Sequence, residues 1–281
     1  MKKWPVLTIC LVLGTAAAHS QSRSDADGQW HSFKSSADFD ARAEVTLLEL
    51  ANRAREETGA RPLMLDEGLT KAAREHSRLM ARAHKIGHQL EGEPGLVGRM
   101  SAATKLTLER EGENVAVDQD AGSAHESLMQ SPPHRRNLLD PEFNVVGMGV
   151  VREGNHVWVT QDFGGSVTLY SVDQTEDIVA SAVGKFRTKE DVPPLQRTTE
   201  PGLHEDACSM AKSDGLTTPD THKLTQRFEV VTYTSMHPEV LPGEAAGFLK
   251  NPRTKYFSVG ACHARTNAYP TGVYWIILLF R

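Results

Sequence analysis

Basic residues are not in excess in this sequence: 31 Lys and Arg stand against 36 Asp and Glu, a formal net charge of −5 at pH 7. Nucleic-acid affinity rests on cationic neutralisation of phosphates, so DNA and RNA are not expected partners. Long apolar runs are missing too. The N-terminal stretch Val6 to Leu13 is about half of the ~20 residues a spanning helix needs, and Tyr274 to Phe280 is shorter still. The mature chain is therefore expected to have no transmembrane segment. Cysteine is scarce, with 3 in 281 residues, and nothing near any of them marks a nucleophile. What is present is an ordinary globular mixture, 39% apolar and 24% charged, long enough for about two domains.

Residues 1–20 read as a signal peptide. Lys2 and Lys3 form its basic start, Val6 to Leu13 its apolar core and Ala16-Ala17-Ala18 its small-residue cleavage region. The expectation is a secreted or periplasmic protein. A lipoprotein reading of Cys10 fails because bulky Ile9 precedes it. Residues 21–37, rich in Ser, Asp and Gln, read as a disordered leader. Cys208 and Cys262 remain, and one even pair in an exported chain suggests a single disulfide. Two buried free thiols are the rival reading.

Apolar periodicity then predicts a helix ending at Thr58 before Gly59, with Leu47, Leu50, Ala51 and Ala54 on one stripe. Asp66 is placed to cap a second helix bearing Leu69, Ala72, Ala73, His76 and Met80. Gly87 to Gly98 reads as loop, and Ala121 to Gln130 as a short helix stopped by Ser131-Pro132-Pro133. Two strands follow, joined at Glu153-Gly154-Asn155. In the second of them Val157, Val159 and Phe163 share one face, and Trp158, Thr160 and Asp162 the other.

The order then repeats. Arg55 and Leu63 recur as Arg187 and Leu195, and Gly68-Leu69 as Gly202-Leu203. Met80-Ala81 recurs as Met210-Ala211 on a shorter helix, and Phe143 to Gly147 as Phe257 to Gly260. Val157 to Phe163 recurs as Val273 to Phe280, the latter apolar enough for a central strand buried on both faces. The shared order points to a diverged duplication with its joint in Gly164 to Thr175. The expected organisation is a first domain at 38–165 and a degenerate second domain at 176–281.

The first half holds the polar candidates. His88 and His134 lie off the apolar stripes, and Glu113 opens an apolar stretch in Glu111-Gly112-Glu113-Asn114-Val115-Ala116. Two neutral imidazoles and a carboxylate brought together suit zinc or a similar metal. His76 is expected to be packed core and His84 a solvated helix end. Asn114 reads as structural, and Arg135-Arg136 as a solvated helix end. The helix-borne His-Glu-x-x-His of zinc peptidases is absent, and Ser131 with His134 does not make a nucleophile pair.

These segments together resemble the CAP superfamily of cysteine-rich secretory, antigen 5 and pathogenesis-related 1 proteins, in its bacterial SCP-like branch. The resemblance is carried by Asn52, Arg55, Gly59, Pro62-Leu63, Asp66, Leu69, Ala73 to His76, Met80-Ala81 and His88. It continues through Gly112 to Ala116, Ser131 to Asn137, Phe143, Val146 to Val150 and Gln161-Asp162-Phe163. It implies an α+β fold, a three-layer α-β-α sandwich, here followed by a degenerate second copy. It also implies a cleft of two histidines, matching His88 and His134, and an acid, matching Glu113. The place of the family's second acid falls near Gln130 or Ser131, which puts Ser131 in the cleft without a carboxylate; Glu126, one turn earlier, is a possible replacement.

The implied role is a binding protein with a metal-capable cleft and a lipid-like, sterol-like or peptide ligand. The alternatives are a metal-dependent hydrolase with Glu113 as general base, and a structural or adhesive exoprotein with a vestigial cleft. In the second half nothing matches His88, Glu229 falls near the place of Glu113, and the counterpart of the His134 segment, Asn251 to Tyr256, has no histidine.

Overall fold

The computed structural model describes residues 39–281. The expected signal peptide, Cys10 and the expected leader lie outside the described residues.

Asp40 starts the first helix by accepting a hydrogen bond from the Ala43 amide, and α1 runs Ala41–Glu57 until Gly59 (φ +74) turns the chain away. Met64–Leu65 (β1) is followed by α2, Glu67–Ala83, capped by Asp66 through the Leu69 amide at 2.8 Å. Then come α3 (Leu96–Ala103), β2 (Leu108–Asp118), α4 (Ala121–Gln130), α5 (Pro132–Leu139), β3 (Val145–Glu153) and β4 (His156–Ser166). Two of these revise the reading from sequence. The expected loop ends at Gly95, because Gly98 is taken into α3. Pro132-Pro133 begins a helix as well as ending one: prolines at the first two helical positions forgo only amides that have no intrahelical partner.

The sheet order is β1-β3-β4-β2, with β1 parallel to β3 and the other pairs antiparallel. One face is covered by α1, α4 and α5, which bury Leu47, Leu128 and Leu138 against Val146, Val159 and Phe163. The other is covered by α2 and α3 through Leu69, Met80 and Met100 against Val115, Val145 and Trp158. This is a three-layer α-β-α sandwich. Helix α2 lies almost on the backbone of β3: a Cβ at Gly147 would fall 2.1 Å from the Leu69 carbonyl carbon, and one at Gly149 2.2 Å from that of Ala73.

The later elements run in the same order. They are α6 (Val172–Lys189), β5 (Gln196–Arg197), α7 (Leu203–Ser213), α8 (Pro219–Leu224), β6 (Glu229–Ser235), α9 (Ala246–Lys250), β7 (Tyr256–Ala264) and β8 (Val273–Phe280). Their sheet order, β5-β7-β8-β6, is that of the first sheet; α6 and α9 cover one face and α7 and α8 the other, a second sandwich in which β8 is wholly buried. The buried arginines also correspond. Arg55 donates to the carbonyls of Arg61, Leu138, Asp140 and Phe143, and Arg187 to those of Pro193, Leu249 and Asn251.

Gly260 fits against Leu203 as Gly147 does against Leu69. Two residues on, where β3 has Gly149, β7 has Cys262, and it is bonded to Cys208 of α7 with Cα atoms 5.1 Å apart. One pair of elements is held by contact without a side chain, the other by a covalent bridge. Among the described residues no helix is long and apolar enough to cross a membrane.

Candidate functional site

The polar residues of the first sandwich converge at β2, the edge strand. Alternation along β2 turns Glu113 to the side of α2, and the register sets it opposite Asp162 of β4, which points the same way. Asn114 turns to the opposite face, where its side-chain amide donates to the His134 carbonyl at 3.0 Å and to Gln161 at 3.2 Å. Asn137 of α5 donates to the Glu113 carbonyl at 3.0 Å. Asn114 and Asn137 thus pin α5 to the edge of the sheet, and α5 carries His134.

Under the edge lies a buried ionic network. His76, on the inner stripe of α2, is 0% exposed. Its Nδ1 is 2.8 Å from a Glu93 carboxylate oxygen, its Nε2 2.8 Å from the Gly87 carbonyl, and the same Nε2 is 3.7 Å from Glu113. Both ring nitrogens thus meet oxygen atoms that accept hydrogen bonds. Arg99 of α3 pairs with Glu113 and lies 3.4 Å from Glu93, while its other donors reach the carbonyls of His88 and Pro94. The His76 ring and the Arg99 guanidinium therefore face two buried carboxylates. Burial pushes the Glu93 carboxyl up, but the His76 hydrogen bond, the Leu90 amide and the charges of His76 and Arg99 outweigh it and hold Glu93 below the usual glutamate value.

Asp162 stands apart. It is fully buried, and burial, followed by the charge of Glu113 and a hydrogen bond to it, raises its pKa well above the ordinary aspartate value, against the opposing charge of Arg99. Burial thus favours its neutral form in the folded protein. Because its pKa is higher folded than unfolded, the folded state holds an extra proton above the unfolded value near 3.8, and stability falls as pH rises from there. Asp162→Asn is therefore expected to stabilise the protein at neutral pH and to flatten this decline. Urea midpoints measured at about pH 4 and about pH 7 check it; a variant that is less stable at neutral pH contradicts the neutral-acid assignment.

Above the network, His88 is the exposed member, with 60% of its side chain accessible. Its Nδ1 is 2.9 Å from Glu113 Oε1, which leaves Nε2 facing outward. The His134 ring stands across from it, with centroids 6.3 Å apart. Burial first, then the neighbouring His88, lowers the His134 pKa, so its imidazole is neutral at neutral pH. His88, His134 and Glu113 are therefore brought together over 46 residues of sequence, from 88 to 134.

The other candidates are placed differently. Ser131 is half-buried where α4 ends and α5 begins, and its side chain makes no capping bond. Glu126 is exposed on α4. His84, in the left-handed conformation that ends α2, pairs with Glu153 at 3.3 Å. Among the described residues no group of three or more His, Cys, Asp or Glu side chains is set to hold a metal.

In the second sandwich, Thr232 is opposite Ile277 and Gly260 adjoins them, which is the arrangement of Glu113, Asp162 and Gly147. Thr232 rather than Glu229 thus occupies the place of Glu113; Glu229 lies three residues earlier, opposite Phe280.

Sequence patterns missed Glu93, Arg99 and Asp162 as members of the site, and took His76 for ordinary core. The one available signal was Asp162, a carboxylate on the Trp158 and Thr160 face of a strand buried over most of its length.

An α-β-α sandwich with two histidines over a buried glutamate at its sheet edge defines a class, and the comparisons give that class its name. Residues 48–163 match the model of the cysteine-rich secretory protein family, CAP. Over 122 residues, 43% of its length, the chain is 33% identical to the uncharacterized protein YkwD of Bacillus subtilis (strain 168), and it spans 47% of that protein, about half. A solved extracellular protein containing an SCP domain from Bacillus anthracis is 26% identical, with a TM-score of 0.41 over 44% of this chain and 40% of that one. An outer surface protein from Borrelia burgdorferi is 18% identical, with a TM-score of 0.43 over 46% of this chain and 98% of that one. Na-ASP-1 is 8% identical, with a TM-score of 0.47 over 87% of this chain and 90% of that one. Residues 48–163, in the first half of the chain, are thus a CAP domain.

Proposed function

We propose that this is an exported CAP-domain binding protein whose cleft takes a divalent metal such as zinc between His88 and His134, beside a lipid-like or peptide ligand. The observation that carries the reading is the hydrogen bond from His88 Nδ1 to Glu113 at 2.9 Å. A carboxylate on one ring nitrogen fixes the tautomer and turns the other outward as a metal ligand. His134, kept neutral by its surroundings, supplies the second nitrogen.

The donor set fits a two-histidine site. The ring centroids are 6.3 Å apart, so the two rings would close by about an ångström to share one tetrahedral ion with metal–nitrogen bonds of ~2.0–2.1 Å, and water or a ligand group would complete the shell. Glu113, engaged by Arg99 and His88, orients rather than coordinates. The same engagement weighs against the hydrolase reading, in which Glu113 must take a proton. Exposed Ile86 and Val97, on the segment before His88 and on α3, offer apolar surface for the lipid-like or peptide ligand. Export is supported by the reading of residues 1–20, and it agrees with relatives described as extracellular or outer-surface proteins.

Calorimetric titration of zinc into metal-stripped protein tests the site. One equivalent is expected to bind at about pH 7.5, to bind much more weakly at about pH 5.5 as imidazole protonates, and to be lost in His88→Ala and His134→Ala. Zinc uptake unchanged in both variants, or none in the unaltered protein, would sink the metal reading.

A further inference from the structure

We propose that the second sandwich is a brace for the floor of the cleft in the first, with Arg265 as its main positioning residue. Four of its side chains reach one short stretch, residues 101–109. Arg265, in the connection between β7 and β8, donates to the Ser101 carbonyl at 2.8 Å and the Leu106 carbonyl at 2.9 Å. Thr271, from the same connection, donates to the Leu108 carbonyl at 2.8 Å in a buried contact. His263 Nε2 is 3.2 Å from Thr107 Oγ1, and His237 Nε2 is 2.9 Å from Glu109. At Gly272, where φ is +99, a Cβ would fall 2.7 Å from the His263 ring, so the missing side chain leaves His263 room to point at Thr107.

The braced stretch is the connection between α3, which carries Arg99, and β2, which carries Glu113. Helix α3 has eight residues, and its N-cap, Gly95, makes no side-chain cap. A helix this short has little stability of its own, and its last carbonyls need donors from outside. The Ser101 carbonyl, in the last turn, gets one from Arg265, and a cation suits that end of the helix dipole. Loosening this connection lets α3 shift, and with it Arg99, whose contacts with Glu113 and the His88 carbonyl hold both residues in place. The second sandwich, with Thr232 and Ile277 where the first has Glu113 and Asp162, has no counterpart of that acid pair. Its contribution is to hold the site of its neighbour.

The test uses the full chain with Arg265→Ala, Arg265→Lys and Thr271→Val, and reads amide hydrogen exchange and zinc titration. In Arg265→Ala and Thr271→Val, exchange over residues 96–106 is expected to rise about tenfold while that of α7 and β8 is unchanged. Arg265→Lys, which keeps one donor head, should recover part of the protection. The zinc arm rests on the proposed metal site, and there a loss of affinity of about three- to tenfold is expected in Arg265→Ala. Exchange over 96–106 within about twofold of the unaltered chain in both variants overturns the brace, as does unchanged zinc affinity in Arg265→Ala when the unaltered chain binds zinc. If the unaltered chain takes up no zinc, the metal reading falls alone, and the exchange pattern with its recovery in Arg265→Lys decides the brace.

Discussion

Arg55→Met is expected to lower the free energy of unfolding by about 3–5 kcal/mol. The guanidinium is fully buried and is solvated by four backbone carbonyls at 2.7 to 2.9 Å, with the charge of Asp140 nearby. A methionine fills much of the same space but donates nothing, so four acceptors lose their donors at once. Three of them, on Leu138, Asp140 and Phe143, lie where α5 runs into β3, so the helix bearing His134 loses its far anchor as well. Arg187→Met, with three such acceptors, should cost somewhat less. Urea unfolding of both variants measures this, and a loss under about 1 kcal/mol for Arg55→Met would show that the carbonyls find other donors.

Arg99→Met is expected to cost a similar amount, about 3–5 kcal/mol at neutral pH, for a different reason. It leaves Glu93 and Glu113, both buried, around the His76 ring without the guanidinium that paired them. An unpaired buried carboxylate has its pKa raised, and stability is lost as pH climbs from the unfolded value to the raised one. The deficit should therefore shrink on acidification toward about pH 4, where that carboxylate is protonated in both states. A deficit equal at neutral and acidic pH would mean that lost packing, not lost charge, sets the cost.

Much of the fold was written locally. The stripe on α1 with Gly59 after it, the Asp66 cap and the turn at Gly154 are each decided by residues within a turn or two, and each stands where the pattern put it, save that Leu50 is only half-buried beside Leu47, Ala51 and Ala54. The alternation of Val157, Val159 and Phe163 against Trp158, Thr160 and Asp162 separates the two faces of β4 as expected. Pro132-Pro133 misled because proline stops a helix and starts one equally well. His76 looked like core because its spacing is that of core; only the fold brings Glu93, 17 residues on, against its ring. Arg99 and Glu93 sit among glycines and prolines with no periodicity to mark them, and their partner Glu113 lies on another element. Position in the second half misled by three residues at Glu229, since strand register is fixed by pairing with β8 and not by distance along the chain.

The flush contact of α2 on β3 sets the tolerances of the whole cleft. Gly147 and Gly149 leave no gap to be taken up: a single methyl at either would meet main-chain atoms closer than 2.5 Å, and the helix would have to lift by about an ångström to relieve it. His76 rides on that helix, a turn beyond Ala73. Its 2.8 Å bonds to Glu93 and Gly87 would not survive such a lift. Two positions with no side chain and no chemistry thus act as the gauge blocks of the site. A chain that kept every histidine and carboxylate but gained one carbon atom there would have the right parts at the wrong height.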